Sequence, residues 1–421
     1  MNAKYYKILG LALLLTISQS CENANSMVDT SVDAPNTSGV HGEVYGIWNK
    51  NSTIYVSGDI IIPAGKSLVI EEGVTVVMDP NSKPEVIVNG NFYSMGTTAN
   101  PVKITGPAET RKPDSWGQVW GGILASQTCN ELVLDNTIIE LGGATTTEAS
   151  TSVKQGLYKA KAGENLPAVW FSNTKGKLII TNSVIRNFHD DATYLEGGEM
   201  IISRNKFYST GNKGGEGVNI KSGVLADVSY NLFFSNNTNA LKLSNSGGRT
   251  PQAHVVAYNN TIVNTGWRRP DIKGGSVWLE NSVYAEVYNT LFANVRFGIK
   301  QDTKSKPDAR SKSSNNLYYG YNASAVAGFT PNNGDILSGT NDIISTTPQA
   351  NDPKLINYPL NSSFTAYTFD NSWNFHLSAG SPAIGKGTTN IMRNFPKGLT
   401  VNNTLYESPE PASYIGAFGQ Q

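Results

Sequence analysis

Cysteine and histidine are scarce in this chain: two cysteines and four histidines occur among 421 residues. That supply excludes a thiolate or multi-histidine zinc centre of the usual kind. A calcium site built from carboxylates and carbonyls stays open. Charge is also sparse, at 16 % of residues, and balanced, with 33 Lys plus Arg against 33 Asp plus Glu. A neutral chain gains little long-range attraction for nucleic acid, and none is expected as a partner. The 41 glycines and 19 prolines lie near the ordinary level, which excludes collagen and Gly/Pro tracts. No phosphate loop, dinucleotide fingerprint or Ser-His-Asp arrangement is present. Helical periodicity is missing as well. Aromatics, in contrast, reach 10 %, with 19 Tyr and 7 Trp.

The one marked apolar run, ILGLALLLTI at 8–17, follows Lys4 and Lys7. It is too short to cross a bilayer and suits the core of a signal peptide. Ser18 and Ser20 then lead to Cys21 and a polar stretch. This segment resembles a bacterial lipoprotein signal, with Ser18 where the strict lipobox has Leu, as in the relaxed lipoboxes of Bacteroidetes-like bacteria. The resemblance implies a signal peptide at 1–20, lipidation of Cys21 and a polar tether at 21–42. It also implies anchorage in the bacterial outer membrane, facing the surface or the periplasm. Cys129 would then have no partner for a disulfide within the chain.

The strongest internal signal is a repeat. Asn–x–apolar–apolar returns at Asn136, Asn182, Asn205, Asn231, Asn260, Asn289 and Asn316, with spacings of 46, 23, 26, 29, 29 and 27. The 46 stands for two turns, or for one turn with an insertion in the low-complexity stretch LGGATTTEASTSVKQG. Short β-favouring runs flank each copy, separated by Gly, Asn and Ser. Windings of this length without helices predict an all-β fold, a single-stranded right-handed parallel β-helix (solenoid) of about ten turns. The asparagines fit turns between strands, where they tolerate left-handed dihedrals and bond their neighbours in the next turn.

The flanks add a resemblance. LVIEEGVTVVM…EVIVNGNFYSMGTTANPVKITG is similar to the opening turns of extracellular bacterial β-helix proteins of the pectin-lyase-like class. DPKLIN, FHLSAGSPAIGKG and YIGAFG resemble their closing region. The chain has Tyr414 and Gly419 where the pattern often reads DIGAFE, and Gly385 where an acid is usual. The likeness implies one β-helix over 43–421 with a capping, closing segment at about 351–421. It implies little about activity, because this fold serves many chemistries.

Aligning the strands AVWFS, TYLEG, GVNIKS, ALKLS, SVWLE and FGIKQD puts Val169/Phe171, Val218/Ile220, Leu241/Leu243, Val277/Leu279 and Phe297/Ile299 inward. The outward stripe then reads Trp170, Tyr194, Asn219, Lys242, Trp278 and Gly298. Beside it run Ser172, Glu196, Lys221, Ser244, Glu280 and Lys300. Solvent-facing rings interleaved with charges form stacking platforms for sugars unless loops cover them. The preceding loops bring His189, Asp190, Asp191, Lys213, Glu216, Arg268, Arg269, Asp271, Lys273 and Arg296. The expected binding residues are Trp170, Tyr194, Asn219, Lys242, Asp271 and Trp278, with Trp278 the principal platform. The rival expectation is that the 246–254 loop, which carries Arg249, folds over Trp278.

A lyase on such a face needs a basic residue to remove a proton and a cation to neutralise charge. A hydrolase needs two carboxylates about 5 to 10 Å apart. The candidate catalytic residues are Lys221, Lys242, Arg268, Arg269, Asp190, Asp191 and Glu280, with Ca2+ an optional cofactor and no metal ligands assigned. The leading expectation is a monomeric lipoprotein that recognises an extracellular polysaccharide or oligosaccharide, with cleavage by a lyase or glycoside hydrolase as an option. The alternative is a non-catalytic surface or scaffold protein that binds another protein.

Overall fold

The computed structural model describes residues 37–112, 115–212, 214–269, 274–329 and 334–421. Cys21, Lys213, Asp271 and Lys273 lie outside them. The chain winds as a right-handed parallel β-helix of ten turns with three faces. The first face is a ten-stranded sheet that runs from Gly46–Trp48 to Lys312–Ser314. The second and third share the long strand Thr53–Ile62, whose first half pairs with Thr75–Met78 and whose second half pairs with Val86–Val88.

Alternation explains the core. Leu178/Ile180 and Met200/Ile202 point inward from the first face, Ile185, Phe207 and Phe233 from the second, and Val169/Phe171 and Val218/Ile220 from the third. Phe207 stacks on Phe233 at 5.1 Å between ring centroids, since in-register parallel strands place like residues above one another. Each such ring withdrawn from water contributes roughly 1.5–3 kcal/mol.

Pairing decides one alternative the sequence left open and changes two registers. Thr137–Glu140 pairs directly with Val184–Phe188, so the 46-residue interval is one turn with an insert at 141–168. The seven asparagines occupy two adjacent columns rather than one. Asn136, Asn182 and Asn289 sit at positive φ, at 47°, 51° and 48°. Asn205, Asn231, Asn260 and Asn316 occupy the next position and carry the ladder: the Asn231 and Asn260 side-chain oxygens accept from the N–H of Asn205 and Asn231, each at 3.0 Å. On the last strand of the third face Ile299, not Phe297, pairs with Val277, so the outward partner of Trp278 is Lys300 instead of Gly298.

The closing segment is a strap rather than a plug on the last turn. From the C-terminal turns it runs back along the outside, reaching Glu131, whose carboxylate accepts from the Asn402 N–H at 3.1 Å, and Met95, which meets the Tyr406 hydroxyl at 3.8 Å. Phe395, Leu399 and Val401 cover the first face's outward row of Tyr93, Val133, Ile179 and Ile201. Tyr358, Phe375, Leu377 and Ile415 cover Leu232, Phe234, Val263 and Leu291 of the second. Asp227 interrupts the first row and is fully buried. It is held by the N–H groups of Asn394 and Phe395 and by the Ser408 hydroxyl, at 2.9, 3.0 and 2.7 Å.

Candidate functional site

The third face is the one without the strap. Pairing places Trp170, Tyr194, Asn219, Lys242, Trp278 and Lys300 on successive strands at one outward position. The rings are not open platforms, however: Trp170 is 4 % exposed and Trp278 5 %. Each indole is anchored by its nitrogen, Trp170 donating to Glu196 at 2.7 Å and Trp278 to Glu280 at 2.8 Å. The 141–168 insert covers the first two rings. Tyr158 meets Tyr194 edge-on at 5.2 Å, and Leu157 and Leu166 pack against Trp170. The insert is pinned by Glu85, which accepts from the Ser152 N–H and hydroxyl at 2.7 and 3.0 Å. The 246–254 loop turns the other way from Trp278, because Arg249 reaches back two turns to pair with Glu196 at 3.1 Å.

Beside this column lies a buried ionisable cluster. Asp191 accepts from the N–H groups of Gly215 and Glu216, both at 2.9 Å, and from the Asn219 amide at 2.8 Å. Burial works against its charge, but these donors and the Glu216 carboxyl outweigh it and hold Asp191 below the usual carboxylate range. Burial and the Asp191 charge push Glu216 well up, so Glu216 carries the proton that the pair shares. Asp190 is raised for the same two reasons. Lys242 stands 3.8 Å from Glu216; burial opposes its charge, yet the carboxylates around it raise its pKa. Burial and Lys242 lower that of Lys221, which sits 5.2 Å above the Tyr194 ring.

The arrangement therefore offers a protonated carboxyl beside an ionised one, with amines at hand. Asp191, with both oxygens taken, is a fixed negative charge rather than a free base. Among the described residues no three His, Cys, Asp or Glu side chains converge as a metal cage.

The structure brings together Asp190, Asp191, Asn219, Lys221, Lys242 and Tyr194, with Trp278 and Glu280 on the strand next to that of Lys242. Arg268 is not with them. It braces the corner between the second and third faces, giving 2.7 Å hydrogen bonds to the carbonyls of Thr210, Gly211 and Ser235 and stacking on Trp116 at 4.5 Å. The Arg269 carbonyl accepts from Arg296 at the same corner, at 3.3 Å. Tyr158 and the proton-sharing role of Glu216 were missed by sequence reasoning, since the insert carries no period and Glu216 lies in a glycine-rich turn. At the N-terminal end of the third face, a groove of about 770 Å3 runs between the insert and the neighbouring corner. Trp170, Ile61, Asn89, Gln127, Thr128 and Gln155 line it.

No protein-family model matches the chain, and no curated protein matches it either.

Proposed function

We propose that the protein is a lipid-anchored envelope protein that recognises an extended polysaccharide along its third face. One observation carries this reading. The chain's own strap covers the apolar outward rows of the first and second faces, whereas the third face bears the amide-rich groove beside Trp170 and the ionisable row behind it. A groove lined by the amides of Asn89, Gln127 and Gln155 and the Thr128 hydroxyl, with Ile61 and Leu157 as its apolar side, suits the hydroxyls and C–H faces of sugar rings. Cleavage is the further option, resting on Glu216 as the proton donor. The Cys21 anchor follows from the N-terminal signal, and Cys21→Ser should move the protein from the membrane to the soluble fraction; unchanged partitioning contradicts the anchor. A glycan array with the detergent-solubilised protein tests recognition, with and without calcium, followed by assays for new reducing or unsaturated ends. Binding by no glycan in either condition overturns the reading and favours a scaffold that binds another protein.

A further inference from the structure

At the corner opposite the third face, where the first and second faces meet, the strap and the solenoid enclose a second cleft of about 650 Å3. Tyr230 of the solenoid and His376, Tyr414 and Phe418 of the strap present rings to it, with Arg204, Lys206, Glu407 and Glu410 at the rim. Nothing in the sequence pointed here, because its two walls lie about 180 residues apart in the chain.

We propose that this cleft is a second saccharide site and that it takes a neutral pyranose oligosaccharide. Its size lies within the range of about 300–1,000 Å3 that encloses small ligands. Rings on the walls with hydrogen-bonding groups at the rim match the two chemistries of a sugar, apolar C–H faces and peripheral hydroxyls. Two acids and two bases at the rim leave no net field to draw in a charged polymer. The walls are already fixed. The Tyr230 hydroxyl donates to the Glu410 carbonyl and the Glu410 carboxylate accepts from Arg393, both at 2.5 Å. Tyr230 thus offers its ring without needing to be ordered on binding.

Tyr414 and Gly419 are two of the three positions at which the closing region departs from the acidic residues of the pattern it resembles, and the structure brings these two together. A Cβ added at Gly419 would stand 3.0 Å from the Tyr414 ring. A side chain at residue 419 would crowd the ring and push it aside by a few tenths of an ångström, so the glycine favours the position of this aromatic wall.

The cleft stands independently of the third-face reading; only the added consequence, that sites on opposite sides bridge two glycan chains, rests on it. Calorimetry on the detergent-solubilised full chain with cellotetraose, mannotetraose, xylotetraose and tetragalacturonate tests the site. At least one neutral tetraose should bind. Tyr414→Ala should weaken it by about tenfold or more, the usual effect of losing a stacking ring, and Gly419→Ala should weaken it in the same direction. Trp170→Ala in the third-face groove should leave this binding intact. If Tyr414→Ala unfolds, Glu407→Gln at the exposed rim decides, with an expected loss of affinity at unchanged melting temperature. Binding of tetragalacturonate alone, of no neutral tetraose, or binding that only Trp170→Ala abolishes overturns the proposal.

Discussion

Replacing Asn231 with alanine should be far more costly than any change at Asn182, although both asparagines open the same Asn–x–apolar–apolar signature. The Asn231 side-chain oxygen accepts from the N–H and the amide of Asn205, both at 3.0 Å, and its nitrogen donates to the Ile202 carbonyl at 2.9 Å and to Asn260 at 3.1 Å. The Asn205 amide keeps its bond to the Ile180 carbonyl, and the Asn260 oxygen still accepts from the Asn231 N–H. The loss therefore falls on two backbone groups, the Asn205 N–H and the Ile202 carbonyl, in a fully buried setting. At about 1–3 kcal/mol for each buried group deprived of its partner, Asn231→Ala should cost about 2–6 kcal/mol. Asn182 is exposed, holds φ at 51° and makes one long contact, 3.3 Å to Asp135. Asn182→Gly meets that backbone without strain and should change stability by less than about 1 kcal/mol. Urea midpoints for both variants, with hydrogen exchange at Asn205 as a local reporter, separate the two columns. Equal losses, or an Asn205 amide that stays protected in Asn231→Ala, would refute the two-column reasoning.

The proton shared by Asp191 and Glu216 sets a pH dependence. Because Glu216 is raised above its ordinary 4.5 in the folded state, the folded protein binds more protons than the unfolded chain as pH rises from there, so this group's contribution falls with rising pH. Glu216→Gln, which keeps a donor toward Asp191, should flatten the decline in urea midpoint between mildly acidic and alkaline pH; an unchanged slope contradicts it. Trp278→Ala should lower stability by about 3–5 kcal/mol, as for other buried large-to-small changes, and a melting temperature equal to wild type would show that the ring is not a packing element.

The fold was legible because the solenoid writes itself into the sequence as a period. The inward set Leu241, Leu243, Val277 and Leu279 needs only alternation to be found. The misreadings came where the period is silent. Asn182 and Asn205 look alike in sequence, yet one meets a backbone need and the other a hydrogen-bonding need, a difference of one residue that only pairing reveals. Phe297 and Ile299 both satisfy alternation in FGIKQD, and register against Val277 decides between them. Trp278 was correctly placed on the outward row, but neither its burial nor its bond to Glu280 is encoded in spacing. The strap was the least visible feature, because its contacts cross most of the chain and follow no repeat.

That strap changes how the molecule can come apart. In a bare solenoid each turn touches only its neighbours, and the ends fray independently. Here the Asn402–Glu131 bond links residues 271 apart in sequence, and Asp227 of the seventh turn is held by strap residues Asn394, Phe395 and Ser408. Opening an early turn therefore also releases the strap from the later ones, and peeling the strap strands a buried carboxylate midway along. The array is converted from a row of semi-independent units into one cooperative body, in which a later segment of the chain completes the protection of turns that precede it.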